Sequence, residues 1–488
     1  MLIPTPGGGI GQRPPDTICV DLDGTLVRTD TLVEGLLRLL HDPRNWAGLP
    51  GWLLRGRAAL KRQVTARAAL DVTLLPYEHT LVDYLRAQRA CGRRLVLATA
   101  ADRHLADGIN AHLRLFDEVI ASDGVNNLKG RAKADALAER FGGGKFTYVG
   151  NGWPNLQIWR RAGSAVLVNA PDSLADEVAR ITTVERRIDD RPPRAPSVLK
   201  AMRPHQWIKN VLVFLPILTA NALRDGGAWV NAAAMFAAFC ATASAVYIVN
   251  DMTDLSADRG HPRKRRRPFA SGDLPLAIGL VVAPLLLLVG IALGLAIGTT
   301  YVIIFYAACS LAYSVRLKEL PLVDVFTLAL LYTVRVFGGA EASNYRLSPW
   351  LLAFSTFLFL GLANVKRVSE LMDLKRHERR TTARRGYQTD DIAILQAMGV
   401  SASFVSATVL ALFIQSDSVA ARYTHPELLW AIVPLLLFWQ CRLWLSTARG
   451  NMHDDPIIYA AKDRISWLIA TAVFVVFIVA RGFYSRVG

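Results

Sequence analysis

Oxygen-bearing side chains recur at short spacing in one segment of the sequence, at Asn250, Asp251, Asp254 and Asp258, directly after an apolar run. On a helix the three aspartates, at i, i+3 and i+7, lie in one narrow stripe, so their carboxylates converge. Such carboxylates repel one another unless a cation is present, and Mg²⁺ binds few protein carboxylates and adds phosphate oxygens. The stripe therefore predicts a catalytic Mg²⁺-diphosphate site, with Asn250 as a further metal ligand.

A dense cationic stretch follows the aspartates, and arginines of this kind are typical of phosphate recognition. A solvated acidic loop beside a membrane is one alternative, but it leaves the cations unexplained. Binding of anionic lipid head groups is another, but it leaves the aspartate stripe unexplained. We therefore expect the following residues to bind substrate: Arg259, Arg263, Arg265 and Arg267.

The elements that position this segment are apolar helices. The chain has 488 residues, of which 52% are hydrophobic and 20% charged, and the apolar residues concentrate after Trp207 in runs of membrane-spanning length. The net charge of +16 lies largely in loops between these runs, which argues against nucleic-acid binding. Hydropathy predicts nine transmembrane helices, at 207–223, 229–250, 274–298, 300–315, 321–340, 348–367, 392–415, 426–446 and 465–484.

Charge asymmetry predicts the orientation of these spans. The loops after the second, fourth, sixth and eighth spans are rich in Lys and Arg, whereas the opposite loops carry only Arg224, Arg346 and Arg422. No basic region precedes an apolar core at the N-terminus, so no cleavable signal is expected. We expect a multi-pass protein of the inner (plasma) membrane with its N-terminal domain and active site in the cytoplasm. The five cysteines show no disulfide or zinc spacing.

The first part of the chain has the pattern of a soluble α/β domain. Residues 18–27 (ICVDLDGTLV) predict a buried strand that ends in Asp21 and Asp23, and residues 94–99 predict a second strand ending in Thr99. Lys133 begins a predicted helix, and a third strand, 146–149, leads into GNGWPN. Because α/β sheets place their chemistry at the carboxyl ends of strands, these residues form a second candidate site.

In this order the pieces resemble the haloacid dehalogenase superfamily of phosphatases over about residues 15–180. The resemblance implies a Rossmann-like fold with a helical cap, formed by the roughly seventy residues between Asp23 and Thr99. It also implies that Asp21 is the nucleophile and Asp23 the general acid/base, with Thr99 and Lys133 holding the phosphoryl oxygens. Segment 46–60 of the cap is expected to lean on the membrane.

The resemblance departs from the superfamily at the metal site. Asp21, Asp23 and Asn151 are the implied Mg²⁺ ligands, but the superfamily has aspartates where this chain has Asn151 and Asn155. An amide oxygen still coordinates Mg²⁺, although fewer anionic ligands weaken such a site. An active phosphatase and a scaffold or sensor domain are both consistent with these residues.

The second part of the chain, about residues 198–488, resembles the UbiA superfamily of membrane prenyltransferases, on the pattern Asn-Asp-x-x-Asp-x-x-x-Asp after the second helix. A finer resemblance is to decaprenyl-phosphate phosphoribosyltransferases, through residues 203–210 (RPHQWIKN), 261–272 (HPRKRRRPFASG) and 313–318 (YSVRLK). The substrate-binding residues that this resemblance implies, beside the arginines above, are Arg203, Gln206, Lys209, Asn210, Tyr313, Lys318, Lys366, Arg367, Glu370, Arg385 and Tyr387.

The segment after the sixth span discriminates between donors. Aromatic prenyltransferases of the superfamily usually carry a second aspartate-rich motif there, whereas this chain has Asn364-Val-Lys-Arg-Val-Ser-Glu370. Its cations, Lys366 and Arg367, suit a donor with an extra phosphate, such as phosphoribosyl diphosphate (PRPP). The structural alternative is that both only mark the cytoplasmic end of the span.

Together these patterns predict a phosphatase domain at 1–183, a linker at 184–198 and a transferase domain at 199–488. The expected reaction is Mg²⁺-dependent transfer of 5-phosphoribose from PRPP to a polyprenyl phosphate, with dephosphorylation by the N-terminal domain, as for a cell-wall arabinose precursor. Prenyl transfer from a prenyl diphosphate to an aromatic or lipid acceptor is the alternative reaction. A membrane sensor or transporter with an inactive N-terminal domain is the non-catalytic alternative. Oligomeric state is left open.

Overall fold

The structure is a computed structural model that describes residues 15–40, 43–54, 56–123, 127–220, 222–376, 386–420, 423–452 and 455–481. The chain forms two compact units, Met1–Ala201 with Asp251–Leu280, and Met202–Asn250 with Val281–Gly488. The segment with the three aspartates therefore belongs to the same unit as the N-terminal α/β domain.

A six-stranded parallel sheet, in the order β3-β2-β1-β4-β5-β6, forms the centre of the first unit. The inner strands consist mostly of apolar residues that are buried on both faces, as a parallel sheet between helices requires. The strands are β1 (Thr17–Val20), β2 (Arg94–Asp102), β3 (Glu118–Ser122), β4 (Phe146–Gly150), β5 (Ser164–Val168) and β6 (Thr183–Ile188).

Helices cover this sheet and build two apolar cores, one around Leu22, Leu85 and Leu97 and the other around Tyr148 and Trp159. The predicted Rossmann-like α/β architecture is confirmed. The helices are α1 (Thr31–Leu40), α2 (Leu49–Leu54), α3 (Arg57–Ala68), α4 (His79–Ala90), α5 (Arg103–Leu113), α6 (Arg131–Phe141), α7 (Leu156–Trp159), α8 (Asp172–Ile181) and α9 (Arg194–Met202), with 3-10 turns at Pro43–Gly48, Val72–Leu74 and Trp153–Asn155.

The insertion between Asp23 and Thr99 is helical, but only part of it is separate from the sheet. Helices α1 and α3 pack on each other through a small cluster that includes Leu39, Leu60 and Val64. Helix α4 instead contributes Leu81 and Leu85 to a core of the sheet. The part of the insertion that packs apart from the sheet core is therefore shorter than the predicted cap.

The predicted linker contains regular structure. Residues Thr183–Ile188 form β6, which pairs with β5, and Arg194–Met202 form α9. Glu185 fixes β6, because it accepts hydrogen bonds from Arg93 (2.8 Å), Thr147 (2.8 Å) and Ser164. The predicted linker at 184–198 was thus wrong for residues 184–188, which lie in β6, and for residues 194–198, which lie in α9.

The described chain after Met202 is helical, and its helices differ in length and composition. They are α10 (Leu215–Thr219), α11 (Gly226–Thr253), α12 (Leu255–Arg259), α13 (Leu276–Ala296), α14 (Thr300–Val315), α15 (Val323–Ser343), α16 (Pro349–Arg376), α17 (Ile392–Ile414), α18 (Asp417–Ala420), α19 (Ile432–Ala448), α20 (Pro456–Lys462) and α21 (Arg464–Arg481), of which α12 and the ends of α11 and α13 belong to the first unit. The 3-10 segments are Pro204–Phe214, Lys264–Arg266, Leu317–Glu319, Thr389–Asp391 and Pro426–Ala431.

Seven helices in the described part of the chain are long and apolar enough to cross a membrane, not the nine predicted. The first predicted span, 207–223, consists of the 3-10 segment Pro204–Phe214 and the short helix α10. Proline lacks the N–H that a helix interior needs, and Pro204 and Pro216 each lie at the start of one of these pieces. The fourth predicted span is α14, a shorter apolar helix of 16 residues.

Candidate active sites

Residues 250–258, here called the aspartate segment, do not form one continuous helix. Helix α11 ends at Thr253, Asp254 precedes α12, and Asp258 lies within α12. Even so, Asp251 and Asp258 are both buried and share one guanidinium, because Arg267 Nη1 donates to Asp251 Oδ1 (3.1 Å) and to Asp258 Oδ2 (2.7 Å). The predicted stripe on a single helix was wrong, but two of its three carboxylates lie close together.

The chemistry of this segment fits a hard cation with few protein ligands. Among the described residues, no three His, Cys, Asp or Glu side chains are grouped closely enough to hold a metal ion by themselves. Arg267 supplies the positive charge that Asp251 and Asp258 require, and carboxylate oxygens are the donors that Mg²⁺ prefers. A Mg²⁺ ion here would thus need further oxygens from water or from a phosphate.

The arginines that follow the aspartates separate into three groups. Arg267 contacts the aspartates, as described, and Arg263 and Arg265 are exposed. Arg259 is not available to a substrate, since both its Nη atoms pair with Glu34 of α1, at 2.6 and 2.9 Å. Its predicted role in substrate binding is therefore replaced by an ion pair.

A buried charge cluster in the second unit is centred on Asp455. Its carboxylate accepts from Lys209 Nζ at 2.6 Å, lies 3.4 Å from Lys366 Nζ and accepts from the Tyr332 hydroxyl at 3.2 Å. Burial alone would raise the pKa of Asp455, but Lys209 and Lys366 hold that pKa well below its usual range. Two lysines that were predicted to bind substrate thus converge on one anionic group.

Sequence reasoning missed Asp455. The residue caps α20, with Oδ1 accepting from Ile457 N at 3.2 Å, and Pro456 follows it. An aspartate before a proline is a signal for a helix start, but nothing in this pattern indicates contact with two distant lysines.

A second buried cation that sequence reasoning missed is Arg335, inside α15. Its Nε donates to Asn210 Oδ1 (2.7 Å), its Nη2 donates to the Tyr306 hydroxyl (2.7 Å), and its guanidinium lies 5.6 Å from the Tyr332 ring centroid. A charge within an apolar span is expensive and usually functional. Asn210, predicted to bind substrate, is here an acceptor for this arginine.

The remaining residues of the segment 203–210 differ in their surroundings. Arg203 has a positive φ of 54° and its guanidinium lies 5.1 Å from the Tyr247 ring centroid. Gln206 is half-buried, and its backbone N–H donates to the Arg203 carbonyl at 2.8 Å.

Arg367 belongs to a structural network. Its side chain is 1% exposed and pairs with Asp324 (2.7 Å) and Glu370, while the Tyr313 hydroxyl donates to the same Asp324 at 2.8 Å. Tyr387 completes the network, because its hydroxyl accepts from a backbone N–H at 2.7 Å and its ring centroid lies 5.7 Å from the guanidinium. The structural alternative for Arg367 is therefore favoured. Lys318 is buried, and Arg385 lies outside the described residues.

Asp21 directly follows β1, at the carboxyl end of the strand where the second candidate site was predicted. Lys133 Nζ donates to Asp21 Oδ1 at 2.8 Å, to the Ala98 carbonyl at 3.1 Å and to the Tyr148 hydroxyl at 3.1 Å. These bonds fix a cation beside the carboxylate that is predicted to act as a nucleophile. Thr99 is buried nearby on β2, and its hydroxyl accepts from the Ala101 N–H at 2.9 Å.

Asp23, predicted to be the general acid/base, has a raised pKa. Burial raises its pKa to about 6, and the nearby Asp30 and Asp21 add to the shift against hydrogen bonds from Thr31. Those bonds come from the Thr31 N–H and hydroxyl, both at 2.8 Å, and place Asp23 at the start of α1. A pKa in this range is the one that a general acid/base working near neutral pH needs.

The two asparagines that replace the expected aspartates lie beside Asp21. Gly24 has a φ of 75°, and a Cβ there would lie 2.2 Å from Asn151 Nδ2, so Asn151 packs directly on this turn. The Asn155 amide, oriented to satisfy both neighbours, donates to Asp21 Oδ2 and accepts from the Asn151 N–H, each at 3.3 Å. The oxygens of Asp21, Asp23 and Asn151 fit a divalent cation chemically, but with fewer charges than three aspartates supply.

Seven apolar helices of transmembrane length in the described residues indicate a multi-pass membrane protein. The UbiA prenyltransferase family matches residues 213–462, which is just over half of the chain. The chain therefore belongs to the UbiA prenyltransferase family. The family membership predicted from the motif at 250–258 is thereby confirmed.

Three relatives show how the similarity is distributed. The uncharacterized protein y4nM of Sinorhizobium fredii is 35% identical over 472 residues, covering 95% of this chain and 90% of that protein. The nodulation protein NoeC of Azorhizobium caulinodans is 34% identical over 54% of this chain and 86% of its own length. Decaprenyl-phosphate phosphoribosyltransferase of Corynebacterium glutamicum is 37% identical over 201 residues, 39% of this chain and 60% of that enzyme.

Solved structures resemble each part of the chain. A UbiA homolog from Archaeoglobus fulgidus, bound to GPP and Mg²⁺, covers 58% of this chain with a TM-score of 0.45 and 16% identity, over 99% of its own length. A HAD family hydrolase from Salmonella enterica covers 36% of this chain, with a TM-score of 0.27 and 12% identity, over 68% of its own length. The phosphatase resemblance of the N-terminal domain stays a prediction.

Proposed function

We propose that the protein transfers 5-phosphoribose from PRPP to a polyprenyl phosphate in a Mg²⁺-dependent reaction. Membership in the UbiA family and partial similarity to a decaprenyl-phosphate phosphoribosyltransferase support the reaction class. The observation that carries the choice of donor is the convergence of Lys209 and Lys366 on Asp455. A prenyl diphosphate has no second anionic group for such a pair of cations, whereas PRPP has its 5-phosphate.

In this proposal the diphosphate of the donor belongs to the aspartate segment. Asp251, Asp254 and Asp258, with Asn250, would hold Mg²⁺, which supplies positive charge to the leaving diphosphate. Arg267 already neutralises two of these aspartates and is available to a phosphate oxygen through its partly exposed side chain. Arg259 and Arg367 have no part in donor binding, because both are committed to buried ion pairs.

The reaction needs no general base, since the acceptor oxygen of a polyprenyl phosphate is already anionic at neutral pH. The bond from C1 of the ribose to the diphosphate breaks as the bond from C1 to the acceptor oxygen forms. Positive charge develops on the ribose and negative charge on the diphosphate. Arg267, which contacts Asp251 and Asp258, would stabilise the negative charge. The products are polyprenyl-phosphate 5-phosphoribose and diphosphate.

The N-terminal domain is proposed to remove the 5-phosphate from this product. The supporting observation is the 2.8 Å contact from Lys133 to Asp21, which places a cation where phosphoryl oxygens would lie. Asp21 would attack phosphorus while Asp23 donates a proton to the leaving ribose oxygen, and water would then hydrolyse the aspartyl-phosphate with Asp23 as the base. Phosphate and polyprenyl-phosphate ribose are released.

The test uses the purified protein with a short polyprenyl phosphate, Mg²⁺ and one of two labelled donors, ribose-labelled PRPP or a labelled prenyl diphosphate. We expect label from PRPP in the lipid fraction and loss of that transfer in excess chelator. Transfer from the prenyl diphosphate without transfer from PRPP would establish the alternative donor and refute the proposal.

A further inference from the structure

The aspartate segment is bound to the N-terminal domain by a buried ion pair within the first unit. Arg259, the residue after Asp258, pairs with both carboxylate oxygens of Glu34 at 2.6 and 2.9 Å. Their side chains are 6% and 4% exposed. Each partner is held by a further bond, since Glu34 accepts from the Thr29 hydroxyl (3.1 Å) and Arg259 Nε donates to the Ala270 carbonyl (3.0 Å). This geometry is bidentate, directional and shielded from water.

A second contact with the N-terminal domain lies further along the chain, at residues 272–273. Gly272 has a φ of 76° and packs so closely that a Cβ there would lie 2.3 Å from Arg28 Cβ. Arg28 itself lies 3.5 Å from Asp273 and is held in the N-terminal domain by Glu78 at 2.6 Å and Asp190 at 2.9 Å. The chain after Asp258 therefore contacts the N-terminal domain at two places, at Arg259 and at residues 272–273.

Helix α1 links these contacts to the N-terminal site. Its first residue, Thr31, donates two hydrogen bonds to Asp23, and Glu34 lies one turn further along the same helix. Glu34 pairs with Arg259, which follows Asp258 in the sequence. Asp258 in turn shares Arg267 with Asp251. A short run of bonded residues thus connects the two candidate sites.

We infer that Glu34 is a positioning residue for the aspartate segment: it fixes Arg259 and thereby holds Asp258 where the Mg²⁺-diphosphate needs it. The role of Asp258 in binding Mg²⁺ rests on the proposed function, whereas the fixing of Arg259 by Glu34 does not. Removal of the Glu34 charge would leave a buried guanidinium beside Asp258, where it would compete with Mg²⁺ for the carboxylate. An ion pair that only stabilises the fold would not change the Mg²⁺ requirement.

The experiment compares the full-length wild type with Glu34→Gln and with a matched control, Glu139→Gln, at an exposed position of α6. We measure hydrogen–deuterium exchange of residues 251–262 without metal, and the Mg²⁺ concentration that gives half-maximal transfer. In Glu34→Gln we expect faster exchange in this segment and a rise in that concentration of about tenfold or more, as for residues that support metal ligands. The control should match the wild type.

A charge-swapped variant, Glu34→Arg with Arg259→Glu, distinguishes the ion pair from general damage. If Glu34→Gln is poorly folded, the swapped variant should restore folding and bring both measurements back toward the wild type. Unchanged exchange and unchanged Mg²⁺ dependence in Glu34→Gln would overturn the inference. So would a loss of turnover that follows the folded fraction alone.

Failure of the proposed function gives a different result. A wild type that transfers nothing from PRPP refutes the proposed function, while the exchange of residues 251–262 still decides whether Glu34 holds the segment. A wild type that is active, with Glu34→Gln indistinguishable from it, refutes only the inference.

Discussion

At the level of single residues, the proposed choice of PRPP as the donor depends most strongly on Lys366. The residue lies 3.4 Å from Asp455, and the same carboxylate accepts a hydrogen bond from Lys209 at 2.6 Å. Two cations around one carboxylate leave a net positive charge. A phosphate monoester would satisfy that charge better than the single carboxylate does.

Lys366→Met is expected to raise the KM for PRPP by about tenfold, with a smaller effect on kcat, because a contact to the non-reacting 5-phosphate is lost. Steady-state kinetics at saturating Mg²⁺ measure both constants. Lys375→Met, at an exposed position near the end of the same helix α16, is the matched control. An unchanged KM in Lys366→Met would remove this lysine from the donor site.

Asp254→Ala tests the aspartate segment. We expect transfer to fall by more than about a hundredfold, the upper range for a residue that only supports a metal ligand. Phosphatase activity of the N-terminal domain toward a small phosphate monoester, measured on the same preparation, controls for folding. Full transfer activity in Asp254→Ala would contradict the assignment of this residue as a metal ligand.

At the level of elements, strand β6 depends on one acidic side chain. Burial alone would raise the pKa of Glu185, but hydrogen bonds from Arg93, Ser164 and Thr147 outweigh it and lower the pKa below its usual value of 4.5. A lowered pKa means that the ionised group stabilises the folded state above pH 4.5 and that this stabilisation is lost as the pH falls through the folded pKa.

Glu185→Gln should therefore lower the free energy of unfolding by about 2 kcal/mol at neutral pH, the usual scale for hydrogen bonds to a charged group. Thermal unfolding of wild type and variant from pH 7 to pH 4 measures the difference, which should shrink at the acid end. Asp176→Asn, at an exposed position of α8, should unfold like the wild type throughout. A difference that does not depend on pH would contradict the ionic role of Glu185.

Local patterns predicted the elements better than they predicted the contacts between them. The apolar strands 94–99 and 146–149 were recognisable because continuous apolar runs identify buried parallel strands. Strand β6 was not, since its sequence TVERRI is polar and its partners Arg93 and Thr147 are distant in the chain. The span at 207–223 was overestimated because hydropathy does not register the backbone restriction that Pro204 and Pro216 impose.

The same difference between local patterns and distant contacts applies to the residues of the candidate sites. The spacing of Asp21 and Asp23 and of Asp251, Asp254 and Asp258 was readable, because side chains near in sequence are placed by one element. Glu34 and Asp455 were not, because their partners lie far away, Arg259 being 225 residues from Glu34 and Lys209 being 246 residues from Asp455. Pairings at such separation follow from the tertiary fold alone.

At the scale of the whole molecule, the proposal assigns two successive reactions to one chain. Asp21→Asn should leave transfer unchanged but cause the lipid product to keep its 5-phosphate, because the nucleophile for its removal is lost. Mass spectrometry of the lipid fraction distinguishes the two products by one phosphate group. If wild type and Asp21→Asn give the same phosphorylated lipid, the N-terminal domain is not the phosphatase of this product.

The identity of the donor is tested by following each phosphate of PRPP through the reaction. Asp21→Asn protein is incubated with a short polyprenyl phosphate and with PRPP carrying phosphorus-32 either in the 5-phosphate or in the terminal phosphate of the diphosphate. We expect the 5-phosphate label to enter the lipid and the terminal label to be released as diphosphate. Terminal label in the lipid would contradict the proposed reaction. So would the absence of label in the lipid from both forms of PRPP, if the same protein transfers label from a prenyl diphosphate supplied in a parallel incubation.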